Sequence, residues 1–318
     1  MQRLLSRLML LGSLCPGLLQ ANDFAYITNQ GEHTVSVVSL KDRQLVATLK
    51  VGQAPVGVAV DNLNHKAYIS NVEGRSVSVI DTLRQQVEQT FELPIAPVGI
   101  TLSKSGDRLY AADWYHDAIL VLDTQRGQPV AQVQVGKAPG GLQLSRDGTT
   151  LYVANRDSND VSVIDTRSHK ELHRVAVGQH PFGLNLSSDG KQLYVVNVYS
   201  NSVSVMDTRT DQVVDTISVG DHPYCVTPDH DGHRLFVTNT GEDSVSVIDL
   251  ATKKHIQKIR VPGTPEGIAY DAEHQQVLVA SWMDNVLVVI DSHSLKLLPA
   301  VTVGAQPRAF GHFIGSIH

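Results

Sequence analysis

Seven prolines, at positions 55, 97, 139, 181, 223, 265 and 307, stand 42 residues apart without one insertion or deletion. The text around them reads VGQAPVG, LPIAPVG, VGKAPGG, VGQHPFG, VGDHPYC, VPGTPEG and VGAQPRA. A repeat of this length means that one supersecondary unit recurs and that neighbouring units must stack to bury their apolar faces. It overrides the two-domain prior that 318 residues would otherwise carry.

One unit reads as four short strands. After Ala138, Gly141–Leu144 is a strand and Ser145-Arg-Asp-Gly148 a turn, its Asp-Gly pair suited to positive φ. Leu151–Ala154 is a second strand ended by Asn155. Val161–Ile164 alternates with period two, Asp165-Thr166 opens another turn, and His173–Val177 is the fourth strand. No stretch sustains a 3.6-residue apolar period, so helices should be nearly absent. A lone four-stranded sheet cannot cover both faces, whereas seven around an axis can. The expected fold is all-β: a seven-bladed β-propeller with four antiparallel strands per blade. The chain starts inside a blade, with Ala25–Thr28 as a second strand, and ends on Arg308–Ile314, a first strand with nothing after it. The C-terminal strand is therefore expected to join the N-terminal blade and close the ring.

Residues 1–21 read as a cleavable secretory signal. Arg3 and Arg7 precede an apolar run, Leu8–Leu19, broken at Gly12, Ser13 and Pro16, and Ala21 suits a cleavage site. Lipidation at Cys15 is the lesser alternative. The run is too short and too broken for a membrane span. The expectation is a periplasmic protein whose residues 22–318 form one propeller domain, monomeric and without a transmembrane segment. Losing Arg3 and Arg7 takes the formal charge from −6 to −8, which argues against nucleic acid as partner. With Cys15 in the leader, Cys225 is a single thiol and forms no internal disulfide.

The phrases Tyr152-Val-Ala-Asn155, Tyr194-Val-Val-Asn197 and Val161-Ser-Val-Ile-Asp-Thr166 resemble the YVTN-repeat family of seven-bladed propellers, with the exported bacterial YncE-like proteins as the nearest group. The resemblance covers residues 24 to 314. It implies exported, mostly non-catalytic binding proteins and assigns no ligand, since one scaffold hosts many functions.

Columns of the repeat separate scaffold from candidate site. Asp81, Asp123, Asp165, Asp207, Asp249 and Asp291 follow a strand and precede a turn, where aspartate caps backbone amides. Asn29, Asn71, Asn155, Asn197 and Asn239 read as Asx-type loop openers. Gly57, Gly99, Gly141, Gly183 and Gly267 allow close backbone approach at the axis. Strand direction puts the proline turns and the loops after the asparagines on one face, the top, and the Asp-Gly and Asp-Thr turns on the bottom.

Bottom turns are small, polar and repetitive. Top positions vary, and the variation is where a ligand would be read. The candidate ligand-binding residues are His180, Phe182, His222, Tyr224, Glu266, Arg308, Trp114, Tyr115, Arg156 and Trp282. Aromatic, histidine and arginine groups converging on a concavity are what binding sites use. The structural alternative is that these aromatics plug the channel mouth. His180, His222 and Cys225 are weak candidates for a metal or haem iron, short of a full ligand set. His230, His233, His255, His274 and His293 fall on bottom turns or outer strands, where exposure is the default.

Three functions compete. The first is non-catalytic binding or scaffolding at the top-face mouth, with a small molecule or a protein as partner. The second is a redox or metal/haem accessory protein; the absence of Cys-x-x-Cys-His excludes covalent c-type haem, and no cofactor is identified. The third is a lyase or hydrolase using Glu266 or a histidine, against which stands the lack of a nucleophile–base pair. No catalytic residue is assigned, and the sequence favours a non-enzyme.

Overall fold

The computed structural model describes residues 22–317; the leader assigned to residues 1–21 lies outside them. Seven sheets surround a central axis. In blade 2, Pro55–Asp61, Lys66–Asn71, Ser76–Asp81 and Gln86–Glu92 run antiparallel from the axis outward. Blades 3 to 7 repeat this order and begin at Pro97, Pro139, Pro181, Pro223 and Pro265. The one helical element among the described residues is a 3-10 turn, Val198–Ser200. No described helix is long and apolar enough to cross a membrane.

Second and third strands are buried, and the fourth is largely exposed. The outer strands thus carry the water-facing residues, while Val, Ile and Leu of the middle strands fill the gaps between blades. The first strand approaches its neighbour so closely that a side chain is excluded. A Cβ on Gly99 would sit 2.1 Å from Gly140 O, and one on Gly141 2.3 Å from Phe182 O. This is the close approach expected of those glycines.

The repeating aspartates cap turns as expected: Asp81 Oδ1 accepts from the amides of Leu83 and Arg84, and Asp123 Oδ1 from those of Gln125 and Arg126. The asparagines differ from expectation. Asn197 is fully buried and donates through Nδ2 to Ser202 Oγ (3.1 Å) and Ser204 Oγ (2.9 Å), while its Oδ1 accepts from Gly178 N–H. Asn71 and Asn239 bond the equivalent serines. These residues knot the second strand to the third. Burial forbids leaving an amide unpaired, and a strand hydroxyl is the nearest acceptor.

Ring closure is present, in a register more divided than expected. Pro307 bridges Asn29 as Pro55, Pro139, Pro181 and Pro223 bridge Asn71, Asn155, Asn197 and Asn239, and Arg308 N–H donates to Thr28 O. Phe310–His312 then leaves to pair in parallel with Gly57–Ala59 of blade 2. Ile314–Ile317 returns to pair antiparallel with Asn22–Ala25, completing blade 1 alongside Asn22–Asn29, Thr34–Ser39 and Gln44–Lys50. The detour needs Gly311, at φ 108° and with Val58 O 2.5 Å from where a Cβ would stand. Its effect is to put the Phe310 ring at the axis, beside Gly99 and Gly141.

Candidate functional site

The top face is built as the strand directions require. The loops after the second strands bond back to the proline turns: Arg156 N–H donates to Ala138 O, Val198 N–H to His180 O and Trp282 N–H to Thr264 O. The residue before the proline is held at positive φ, 52° for His180 and 48° for His222. Asn159 Oδ1 and Asn201 Oδ1 from the preceding blade accept from these two amides at 2.9 and 3.0 Å. Side chains before and after the proline are therefore aimed by the scaffold.

Six of the ten candidates form one continuous chain of contacts. The Arg156 guanidinium lies 5.6 Å from the Trp114 ring centre, a cation–π distance. Trp114 meets Phe182 at 6.2 Å, and Phe182 meets Tyr224 at 4.4 Å. Arg308 Nη1 donates to Tyr224 Oη at 3.4 Å and approaches Glu266 Oε2 to 3.1 Å. Gln30, absent from the sequence-based set, holds Arg308 Nε at 2.6 Å. Its column, the first residue after the second strand, also contains Trp114, Arg156 and Trp282, which was the available signal.

The remaining four divide. His180 stacks on Tyr199 at 4.0 Å, and Tyr199 meets His222 edge-on at 5.6 Å, a separate aromatic ridge. Tyr115 is 71% exposed and outside both groups. Trp282 has a buried indole N–H with no hydrogen-bond partner.

Phe182 is only 6% exposed and contacts Phe310 at 4.8 Å. Together they fill the axis, so the mouth has a solid floor and the plugging role holds for these two rings. Glu266 is buried beside that floor. Loss of water pushes its carboxyl up to about 7, although the Arg308 charge pulls the other way. The approach of Arg308 is out of line for a hydrogen bond, so Oε2 remains buried without a donor.

His180, His222 and Cys225 do not bring three ligand atoms within 4.8 Å of one another. Burial, and then the charge of Glu266, hold the Cys225 thiol well above its ordinary value, which disfavours the thiolate a metal needs. His222 Nδ1 is engaged with Asp221 Oδ1 at 2.9 Å.

Below the phenylalanine floor, a cavity of about 450 Å³ reaches the bottom turns. Thr101, Gln143, Asn185, Thr227, Tyr270 and His312 line its wall, and Lys104 and Arg146 stand at its rim. The His312 ring is open to the cavity but enclosed by protein, and that enclosure lowers its pKa. Sequence reasoning missed this wall. Its signal was the fourth residue after each proline, which varies between Ala59, Thr101, Gln143 and Asn185.

Residues 115–228 match the family model described as the cytochrome D1 heme domain, and residues 229–313 match that of the YNCE-like beta-propeller. No curated protein matches the chain. Among solved structures it is similar to hydrazine synthase of Kuenenia stuttgartiensis, at 21% identity and TM-score 0.76, over 85% of this chain and 92% of that one. A functionally unknown protein from Desulfotomaculum acetoxidans is similar at 13% identity and TM-score 0.76, over 91% and 99%. A protein from Lactobacillus plantarum is similar at 16% identity and TM-score 0.78, over 94% and 99%. At these identities the likeness is one of fold. The residues present do not fit a haem at the axis. Phe182, Tyr224 and Phe310 occupy the mouth in mutual contact, where a macrocycle would need an open slot; the cavity beneath mixes Ile100, Leu142, Leu184 and Ile268 with Thr101, Gln143 and Asn185.

Proposed function

The chain is a YncE-like β-propeller, and on that footing we propose that it is a non-catalytic binding protein using the top-face mouth. One observation carries the reading: the Glu266 carboxyl is buried next to Arg308 with Oε2 lacking a hydrogen-bond donor. Natural sequences rarely leave such an atom unpaired, and a ligand donor is one way to pair it. The fitting ligand is a small molecule with a donor for Glu266, an acceptor for Arg308, and a flat face for Tyr224 and Trp114. Export by residues 1–21 belongs to the same reading and rests on the sequence of that leader.

The test is ligand-induced thermal shift of wild type, Arg308→Ala and a cavity variant, Asn185→Leu, across amino acids, small amides, sugars, quinones and haem. A shift lost in Arg308→Ala and kept in Asn185→Leu supports the mouth. A shift lost only in Asn185→Leu moves the function to the cavity, a second reading favoured by its volume and amide wall. A Soret absorbance on adding haem would support the redox alternative, towards which the cytochrome D1 match points. Protein recovered from the cytoplasm with residues 1–21 intact would remove the export reading.

A further inference from the structure

The seam between blades 7 and 1 holds a group of side chains that the mouth does not involve. Asp23, on the N-terminal strand Asn22–Asn29 of blade 1, meets Asp271 and His274, at the first bottom turn of blade 7. One ligand atom from each lies within 4.8 Å of the other two. Two donors bound to one ion at about 2.0–2.2 Å are at most about 4.4 Å apart, so small rotations suffice for all three to reach a common centre.

The independent observation is Asp23 itself. It is 7% exposed, and its Oδ1 is buried without any hydrogen-bond partner. Asp271 is held by its own turn: Oδ1 accepts from the amides of Glu273 and His274, and Oδ2 from Gln276 Nε2. His274 Nδ1 stands 2.8 Å from Asp271 Oδ2. A second buried carboxylate is thus brought against a first, with the His274 imidazole the one group of the three able to carry an offsetting charge, and close carboxylates are costly in low dielectric. The repeat shows that this is local. Asp23's place is taken in the other blades by His65, Asp107, Thr149, Lys191, His233 and Gln275. Asp107 is the other acid in the column, and the hydroxyls of Ser103 and Ser105 satisfy it.

We propose that Asp23, Asp271 and His274 bind one divalent cation of the manganese–zinc series, which clips blade 7 to the N-terminal strand at the seam where the ring closes. Two carboxylate oxygens and an imidazole nitrogen suit these ions; calcium and magnesium prefer oxygen alone. The ion would neutralise both carboxylates and add a cross-link where the first and last strands of the chain meet.

The experiment uses the full chain, stripped with a chelator and melted with and without Zn²⁺, Mn²⁺ or Ca²⁺. Zn²⁺ or Mn²⁺ at about a hundred times its dissociation constant should raise Tm by roughly 5 °C, with titration calorimetry giving one site. Asp23→Asn keeps the shape, removes one charge, and should abolish the shift while leaving the metal-free melt unchanged or higher. His274→Gln should weaken it at least tenfold. An unchanged wild-type Tm with both ions overturns the proposal, and so does a shift that survives in Asp23→Asn.

Discussion

Glu266 and Arg308 face each other at 3.1 Å across the junction of blades 7 and 1, yet the carboxyl stays near the point of neutrality. Burial outweighs the ion pair because Arg308 is divided among Gln30, Tyr224 and Glu266. With a folded value of about 7 against the ordinary 4.5, the neutral acid is the favoured buried form. The associated stability is complete below about pH 4.5 and is lost as pH rises through about 7, up to roughly 3 kcal/mol. Urea melts from pH 5 to 8 should show wild type weakening relative to Glu266→Gln. The pairwise difference cancels other titrating groups such as His312, and parallel curves would exclude the account.

Phe310→Ala is expected to cost about 3–5 kcal/mol, the range for removing a buried phenyl ring whose surroundings cannot collapse. Phe182 would keep Trp114 and Tyr224 but lose its axial neighbour, and the cavity would extend toward the mouth. Denaturant midpoints give the first effect. Faster labelling of Cys225, which lines the cavity, by a thiol reagent gives the second.

Truncation before Arg308 removes the Arg308–Thr28 bond, the strand beside Gly57–Ala59 and the innermost strand of blade 1. Cooperative melting should disappear, because blades 1 and 2 lose their pairing together. A single sharp calorimetric transition in that protein would show that the seam is dispensable.

Asn197→Ala strands two serine hydroxyls and the Gly178 amide in a buried site and should cost about 1–3 kcal/mol. Tyr199→Ala, two residues along, removes an exposed ring and should stay within about 1 kcal/mol. Chemical denaturation of the pair checks whether the knot or the loop stabilises the blade.

Sequence periodicity was enough to count blades, assign strands and separate the two faces, because each depends on local pattern repeated seven times. The capping aspartates and axial glycines were legible for the same reason. The asparagines were misread as turn formers: their partners, Ser202 and Ser204 for Asn197, lie across a hairpin, and only the fold reveals that the site is dry. The contact chain from Arg156 to Glu266 was legible as a set of unusual residues. Its floor was not, since nothing local says that Phe310 turns to the axis. Asp23 and His274 were hidden altogether: they lie 251 positions apart in the chain, and the meaning of each depends on the other.

The phenyl ring of Phe310 has one more consequence. With Phe182 it stands between the proline face and the cavity that opens on the bottom turns. A molecule entering from the proline side cannot leave on the other, so the protein is no conduit. The proline face and the bottom turns are thus separate compartments, divided by the Phe182–Phe310 contact.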